Sequence, residues 1–260
     1  MIKLIVSDLD GTLLSYHKGL LERDKEAILH AVGKGTEFSV ASGRMDVEIK
    51  EVMGMIGATG HRISQNGSFV YSKDEERIYG HVFSKNDVLD LYQFLISTDA
   101  PLTIFSENQG FVNDASRIKS VYMSRLFFPI ELDTNLINSI QKGLEVSKIS
   151  VNSHQTEWLK QIQAKIEGQF SSIADSFISD PECLDIMPKA INKGKGVKAI
   201  MDAYHLQPEE IMCIGDSYND ISMFQLTPHS YVMSQADEEV KGYAAHEVNY
   251  VYEALEALHK

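Results

Sequence analysis

Ile2-Lys3-Leu4-Ile5-Val6-Ser7-Asp8-Leu9-Asp10-Gly11-Thr12 is an apolar run that ends in two carboxylates one residue apart, followed by a Gly-Thr turn. Leu4-Ile5-Val6 has the length and β-branched content of a buried strand. Ending such a strand in Asp-x-Asp is costly, because two nearby acids repel and burial disfavours their charge. A divalent cation at the strand tip removes both penalties, and carboxylate oxygens suit Mg²⁺. Gly11 permits a sharp exit and a close backbone approach to a ligand. The same residues also read as a plain turn, with Asp8 as a cap and Asp10-Gly11 as a turn dipeptide. Taken alone, the stretch leaves both readings open.

Working outward, residues 22–32 fit a helix with Ala27, Ile28, Ala31 and Val32 on one stripe, stopped by Gly33 and Gly35. Residues 36–41 read as a second strand ending at Ser42-Gly43-Arg44, then a helix carries Ile49, Val52, Met53 and Ile56 inward. Residues 62–65 form a short strand ending in Asn66-Gly67. This alternation predicts a parallel sheet with helices on both faces. Residues 68–71 and 77–83 then read as an antiparallel pair. The block that follows mixes strands and helices without βα order, and Ser84 with Asp87 resembles a capping box. From residue 195 the helix–strand rhythm returns, with a strand over 210–214 ending at Gly215-Asp216. The fold class expected is α/β. It comprises a Rossmann-like, three-layer parallel-sheet core of residues 1–83 and 185–260, interrupted by an inserted α+β module of residues 84–184.

Composition narrows the function classes. The net charge of −13 over 260 residues disfavours nucleic acid and anionic membrane as partners. Cys183 and Cys213 stand far apart with no CxxC, so neither a disulfide framework nor a zinc site follows. The N-terminal stretch lacks the features of a signal peptide, and no apolar run reaches the ~18–20 residues that span a bilayer. A cytoplasmic location is expected, with small molecules rather than polymers as partners.

Ligands of open parallel sheets bind beyond the carboxyl ends of the strands. Each predicted core strand carries its polar signal there: Asp8 and Asp10, Ser42, Asn66, and Asp216 with Asn219 and Asp220. Asp8, Asp10 and Asp216 suit a Mg²⁺ ion that completes its shell with water and phosphate. Ser42-Gly43, at a strand-to-helix junction, is a natural anion seat. Lys193, between Asn192 and Gly194 just ahead of a helix, offers a compact charge for phosphate. Singly, the Ser-Gly reads as a cap and the Lys as a solvated face; as a set they supply metal, nucleophile and anion clamp. The G-x-G-x-x-G, Walker, G-x-S-x-G and H-E-x-x-H patterns are all missing.

Asp8-Leu9-Asp10-Gly11-Thr12, Ser42-Gly43-Arg44, Lys193-Gly194 and Gly215-Asp216-Ser217-Tyr218-Asn219-Asp220 resemble, in order, the four motifs of the haloacid dehalogenase superfamily. The inserted block resembles the α/β cap of its Cof-type, subclass IIB phosphatases, and Ile186-Met187-Pro188 resembles the cap-to-core return. Ser42 stands where Thr is commoner and Ser217 where Gly is usual. The resemblance implies a phosphoric monoester hydrolase for small phosphorylated metabolites such as sugar phosphates, nucleotides or cofactor phosphates. It implies Asp8 as nucleophile and Asp10 as acid/base. Mg²⁺ would be held by Asp8, Asp216 and the Asp10 backbone carbonyl. Ser42, Gly43, Lys193 and Asn219 would hold phosphate, and Asp220 would support Lys193 or a metal water. Arg44 is open to either substrate contact or a salt bridge. The cap would select substrate, with Asn108, Asn113, Arg117, Arg125 and His154 as polar positions of unassigned role. A monomer or weak homodimer is expected. The competing readings are a phosphosugar mutase sharing Asp8 and Asp10, and a phospholigand-binding protein without turnover.

Overall fold

The computed structural model describes residues 1–15, 19–114 and 130–257, so Arg117, Arg125 and most of the loop after Leu14 lie outside the described residues. The chain divides into two compact units, Met1–Gly80 with Asn192–Lys260, and His81–Ile191.

The first unit is built on an eight-stranded sheet. Six strands run parallel in the order His246–Val248, His229–Met233, Ile211–Gly215, Leu4–Ser7, Glu37–Ala41 and His61–Ser64. Phe69–Tyr71 and Arg77–Gly80 extend it antiparallel. The first strand is central, pairing Leu4 to Ile211 on one side and to Glu37 on the other. Its four residues are all buried, as expected of a parallel strand covered on both faces. Alternation sends Ile5 into one core with Phe38, Val40, Ile28, Ile49, Val52 and Met212. Leu4 and Val6 enter the opposite core with Ala41, Val197, Ile200, Ile211 and Cys213. Helices Glu22–Gly33, Asp46–Ile56 and Val251–Ala257 supply the first layer, and Lys193–Tyr204 with Ile221–Phe224 supply the second. This is the expected α/β, three-layer architecture. The strand at 246–248 and the short helix Glu238–Lys241 were not anticipated; both are too short to show a period.

The second unit carries a six-stranded sheet ordered Ile130–Leu132, Gly110–Val112, Leu102–Phe105, Lys148–Asn152, Cys183–Pro188 and Ala174–Asp180. Its described pairings are antiparallel except the first. Helices Lys85–Ser97, Leu136–Gln141 and Thr156–Gln169 pack Leu91, Leu95, Ile140, Leu159 and Ile162 against Ile104, Ile149, Val151 and Ile186. Ser84 caps the first of these helices, its hydroxyl accepting from the Asp87 N–H at 3.2 Å. One expectation needs correction. Strand Cys183–Pro188 pairs with Lys148–Asn152 and Ala174–Asp180, so Ile186-Met187-Pro188 leads toward Asn192 from within this unit, which ends at Ile191 rather than at residue 184. An apolar run between two partners in one sheet looks, in sequence, the same as a run entering another sheet.

Candidate active site

Every group in this site belongs to the first unit and stands at the carboxyl edge of its parallel strands. Asp8 follows the first strand directly, and its backbone N–H continues the ladder to the Ile214 carbonyl at 2.8 Å. The side chain is therefore held at the junction of two strands and is only 4 % exposed. Lys193, the first residue of its helix, is 1 % exposed; its Nζ lies 2.5 Å from Asp8 Oδ1 and 2.6 Å from Asp220 Oδ1. Asn192 fixes this helix start by accepting from the Lys195 N–H at 2.9 Å.

Asp216 and Asp220 come from the turn after strand Ile211–Gly215. The other Asp220 oxygen, Oδ2, accepts from the backbone N–H groups of Asp216 at 2.9 Å and Ser217 at 3.0 Å. Thr12 Oγ1 donates to Asp216 Oδ1 at 2.9 Å. Asp8, Asp216 and Asp220 each place an oxygen within 4.8 Å of the others. Burial pushes Asp8 well above the ordinary carboxyl value, opposed by Lys193 and reinforced by the Asp220 and Asp216 charges. Burial and then the Asp220 charge raise Asp216 to about 7, against the Thr12 hydrogen bond and Lys193. Burial pulls the Lys193 ammonium down, but Asp220 and Asp8 outweigh it and leave its pKa above that of a free lysine.

Three carboxylates around one ammonium leave an excess of negative charge in a dry place. The raised proton affinity of Asp216 marks where a further positive charge is wanted. All donors are oxygens, which is the chemistry of a hard divalent cation. The residues present therefore fit such an ion. The Asp10 carboxylate is outside this cluster: Arg44 donates from Nε to Oδ2 at 2.8 Å and from Nη2 to Oδ1 at 2.7 Å. The Asp10 side chain thus stands apart from the three clustered acids, and of the two options for Arg44 the salt bridge is the one formed.

Ser42 is 1 % exposed and anchors a second loop. Its N–H donates to the Ile63 carbonyl, and its carbonyl accepts from the Asn66 N–H, each at 2.9 Å. Its hydroxyl accepts from the Arg44 N–H at 3.2 Å. Asn219 is 5 % exposed; its Nδ2 donates to Asn66 Oδ1 at 3.1 Å, while its Oδ1 is buried without a partner among the described residues. The structure thus gathers Asp8, Lys193, Asp216 and Asp220, links Asn219 to the Ser42 loop through Asn66, and places Asp10 with Arg44. Thr12 and Gln235, whose Nε2 donates to the Gly11 carbonyl at 2.6 Å, were not singled out in sequence. The only available signal was Thr12 in the turn after Asp-x-Asp. In the second unit, His154 Nδ1 lies 2.7 Å from Glu182 Oε1 at the surface.

A doubly covered parallel sheet whose Asp-x-Asp tip meets a second acidic turn and a buried lysine defines a hydrolase class. The chain belongs to the haloacid dehalogenase-like hydrolase family, whose model matches residues 5–254. A protein of Buchnera aphidicola, subspecies Baizongia pistaciae, provisionally named a phosphatase, is 29% identical over 241 residues, covering 91% of this chain and 88% of that one. The 5-amino-6-(5-phospho-D-ribitylamino)uracil phosphatase of Bacillus subtilis is 25% identical over 260 residues, covering 92% and 90%. Among solved structures, a sugar phosphatase of subclass IIB shares the fold with a TM-score of 0.81 at 23% identity, covering 99% of this chain and 98% of that one. Among the described residues, no helix is long and apolar enough to cross a membrane.

Proposed function

We propose that the chain is a Mg²⁺-dependent phosphatase that hydrolyses small phosphorylated metabolites through a phosphoaspartyl intermediate on Asp8. The observation that carries this reading is the dry cluster of Asp8, Asp216 and Asp220 around the Lys193 ammonium. An Asp8 oxygen attacks phosphorus and the bond to the leaving alcohol oxygen breaks; Asp10 gives that oxygen its proton. Asp10 then takes a proton from water, whose oxygen attacks the same phosphorus. The Asp8–phosphorus bond breaks and inorganic phosphate leaves. Lys193, the Ser42 hydroxyl and the Gly43 backbone hold the phosphoryl oxygens, and Asn219 orients them. Asp220 keeps Lys193 charged and aimed at Asp8. Asp8, Asp216 and the Asp10 carbonyl would hold Mg²⁺, which when bound neutralises charge on the transferring phosphoryl group. Phosphoryl transfer rests on position and electrostatics, which suits a site made of short charged contacts. The substrate class, a phosphomonoester of a small metabolite, is the kind of molecule named for the Bacillus subtilis relative.

The test is release of inorganic phosphate from an aryl phosphate. It should need Mg²⁺, stop with a chelator and vanish in Asp8→Asn. An Asp8→Asn protein at full rate refutes the nucleophile, and an isomerised sugar phosphate in place of free phosphate refutes hydrolysis.

A further inference from the structure

Gln65, Asn66 and Gly67 follow strand His61–Ser64 with φ of +48°, +54° and +101°, three consecutive residues in the left-handed region. Gln65 and Asn66 are both fully buried. A non-glycine residue held there costs about 1–3 kcal/mol, and such strain persists where the surroundings over-determine it. The surroundings here are three loops of the site. The Asn66 N–H donates to the Ser42 carbonyl at 2.9 Å. Gly67 packs so close to the start of the Lys193 helix that a Cβ on it would lie 2.2 Å from the Asn192 carbonyl oxygen. Asn66 Oδ1 accepts from Asn219 Nδ2 at 3.1 Å across 153 residues of sequence.

The last contact has a chemical consequence. A carboxamide can be turned by half a revolution with little change in shape, exchanging its donor and its acceptor. Asn66 Oδ1 can only accept, so it holds Asn219 with Nδ2 on that side. With Nδ2 so engaged, Asn219 Oδ1 is buried without a partner among the described residues, and the second N–H is the donor the amide has left for a ligand. The flipped amide would set oxygen against oxygen and offer an anion an acceptor. We infer that Asn66 is a positioning residue: it fixes the Asn219 amide with its donor toward phosphate while tying that loop to Ser42. This rests on the proposed role of Asn219 as a phosphoryl donor.

The test is a double-mutant cycle on kcat/KM for aryl phosphate with Mg²⁺. Asn66→Gly removes the amide yet suits the same backbone. It is expected to lose about tenfold to hundredfold in kcat/KM, the usual cost of removing a group that orients a ligand-binding one. Asn219→Ala should lose at least as much, and the double variant should be no worse than Asn219→Ala, because both remove one device. Losses that multiply, or Asn66→Gly at the wild-type rate, overturn the inference. Wild-type release of phosphate and its absence in Asp8→Asn are measured alongside. If those fail, the phosphatase reading falls; if they hold and the cycle fails, only the role of Asn66 does.

Discussion

Arg44 grips Asp10 with two parallel hydrogen bonds, one to each carboxylate oxygen, at 2.8 and 2.7 Å. The fork immobilises a carboxylate whose side chain is 41% exposed and would otherwise sample several rotamers. Arg44→Lys keeps the charge and loses the fork. With Asp10 as the proposed acid/base, this substitution is expected to lower kcat for aryl phosphate about tenfold to hundredfold with little change in KM. Steady-state kinetics decide the point: an unaltered kcat removes Arg44 from the mechanism.

Lys193 neutralises two buried acids at once. Lys193→Met leaves Asp8 and Asp220 uncompensated and should cost roughly 3–5 kcal/mol of stability as well as activity. Urea unfolding measures the first. A loss below about 1 kcal/mol would mean that the acids are screened by something other than this ammonium.

The pH dependence follows from Asp216. Burial and the Asp220 charge raise its pKa to about 7, so the metal-free fold binds this proton more tightly than the unfolded chain does. The stability it contributes is therefore complete below the ordinary aspartate value and is lost as pH rises through about 7. A divalent cation competes with the same proton. The rise in melting temperature on adding Mg²⁺ should grow between about pH 6 and about pH 8, then level off. Thr12→Val removes the hydroxyl that lowers the Asp216 pKa and should move that window upward. A Mg²⁺ shift of constant size across the range would break the link to Asp216.

Gly67→Ala combines a left-handed backbone with a Cβ 2.2 Å from the Asn192 carbonyl oxygen. Strain and overpacking together predict a loss of about 2–4 kcal/mol, read as a lower thermal midpoint.

The legible parts were those written in short, ordered patterns. Leu4-Ile5-Val6 announces a strand because a doubly covered strand is continuously apolar, and Asp8, Lys193 and Asp216 stand out because charge at such edges is costly. The α/β class followed from that rhythm. What stayed hidden was the partner of each group. Nothing near Thr12 says that its hydroxyl meets Asp216, 204 residues away, or near Gln235 that it reaches Gly11. The choice of Arg44 between substrate and Asp10 depends on how two strand tips are staggered. The boundary after Ile191 rather than at residue 184 depends on sheet pairing, and hydrophobic runs do not carry that information.

Leu4–Ser7 finds one of its two neighbours in Ile211–Gly215, more than two hundred residues downstream, whereas His81–Ile191 is one uninterrupted length of chain. As the polypeptide leaves the ribosome, residues 81–191 can close while the sheet of the other unit still lacks the three strands on one side of Leu4–Ser7. Until residue 215 has emerged, the first strand has a bare hydrogen-bonding edge on that side, exposed to chaperones and to mispairing. Gathering of the acidic cluster around Asp8 thereby waits until residue 220 has been made.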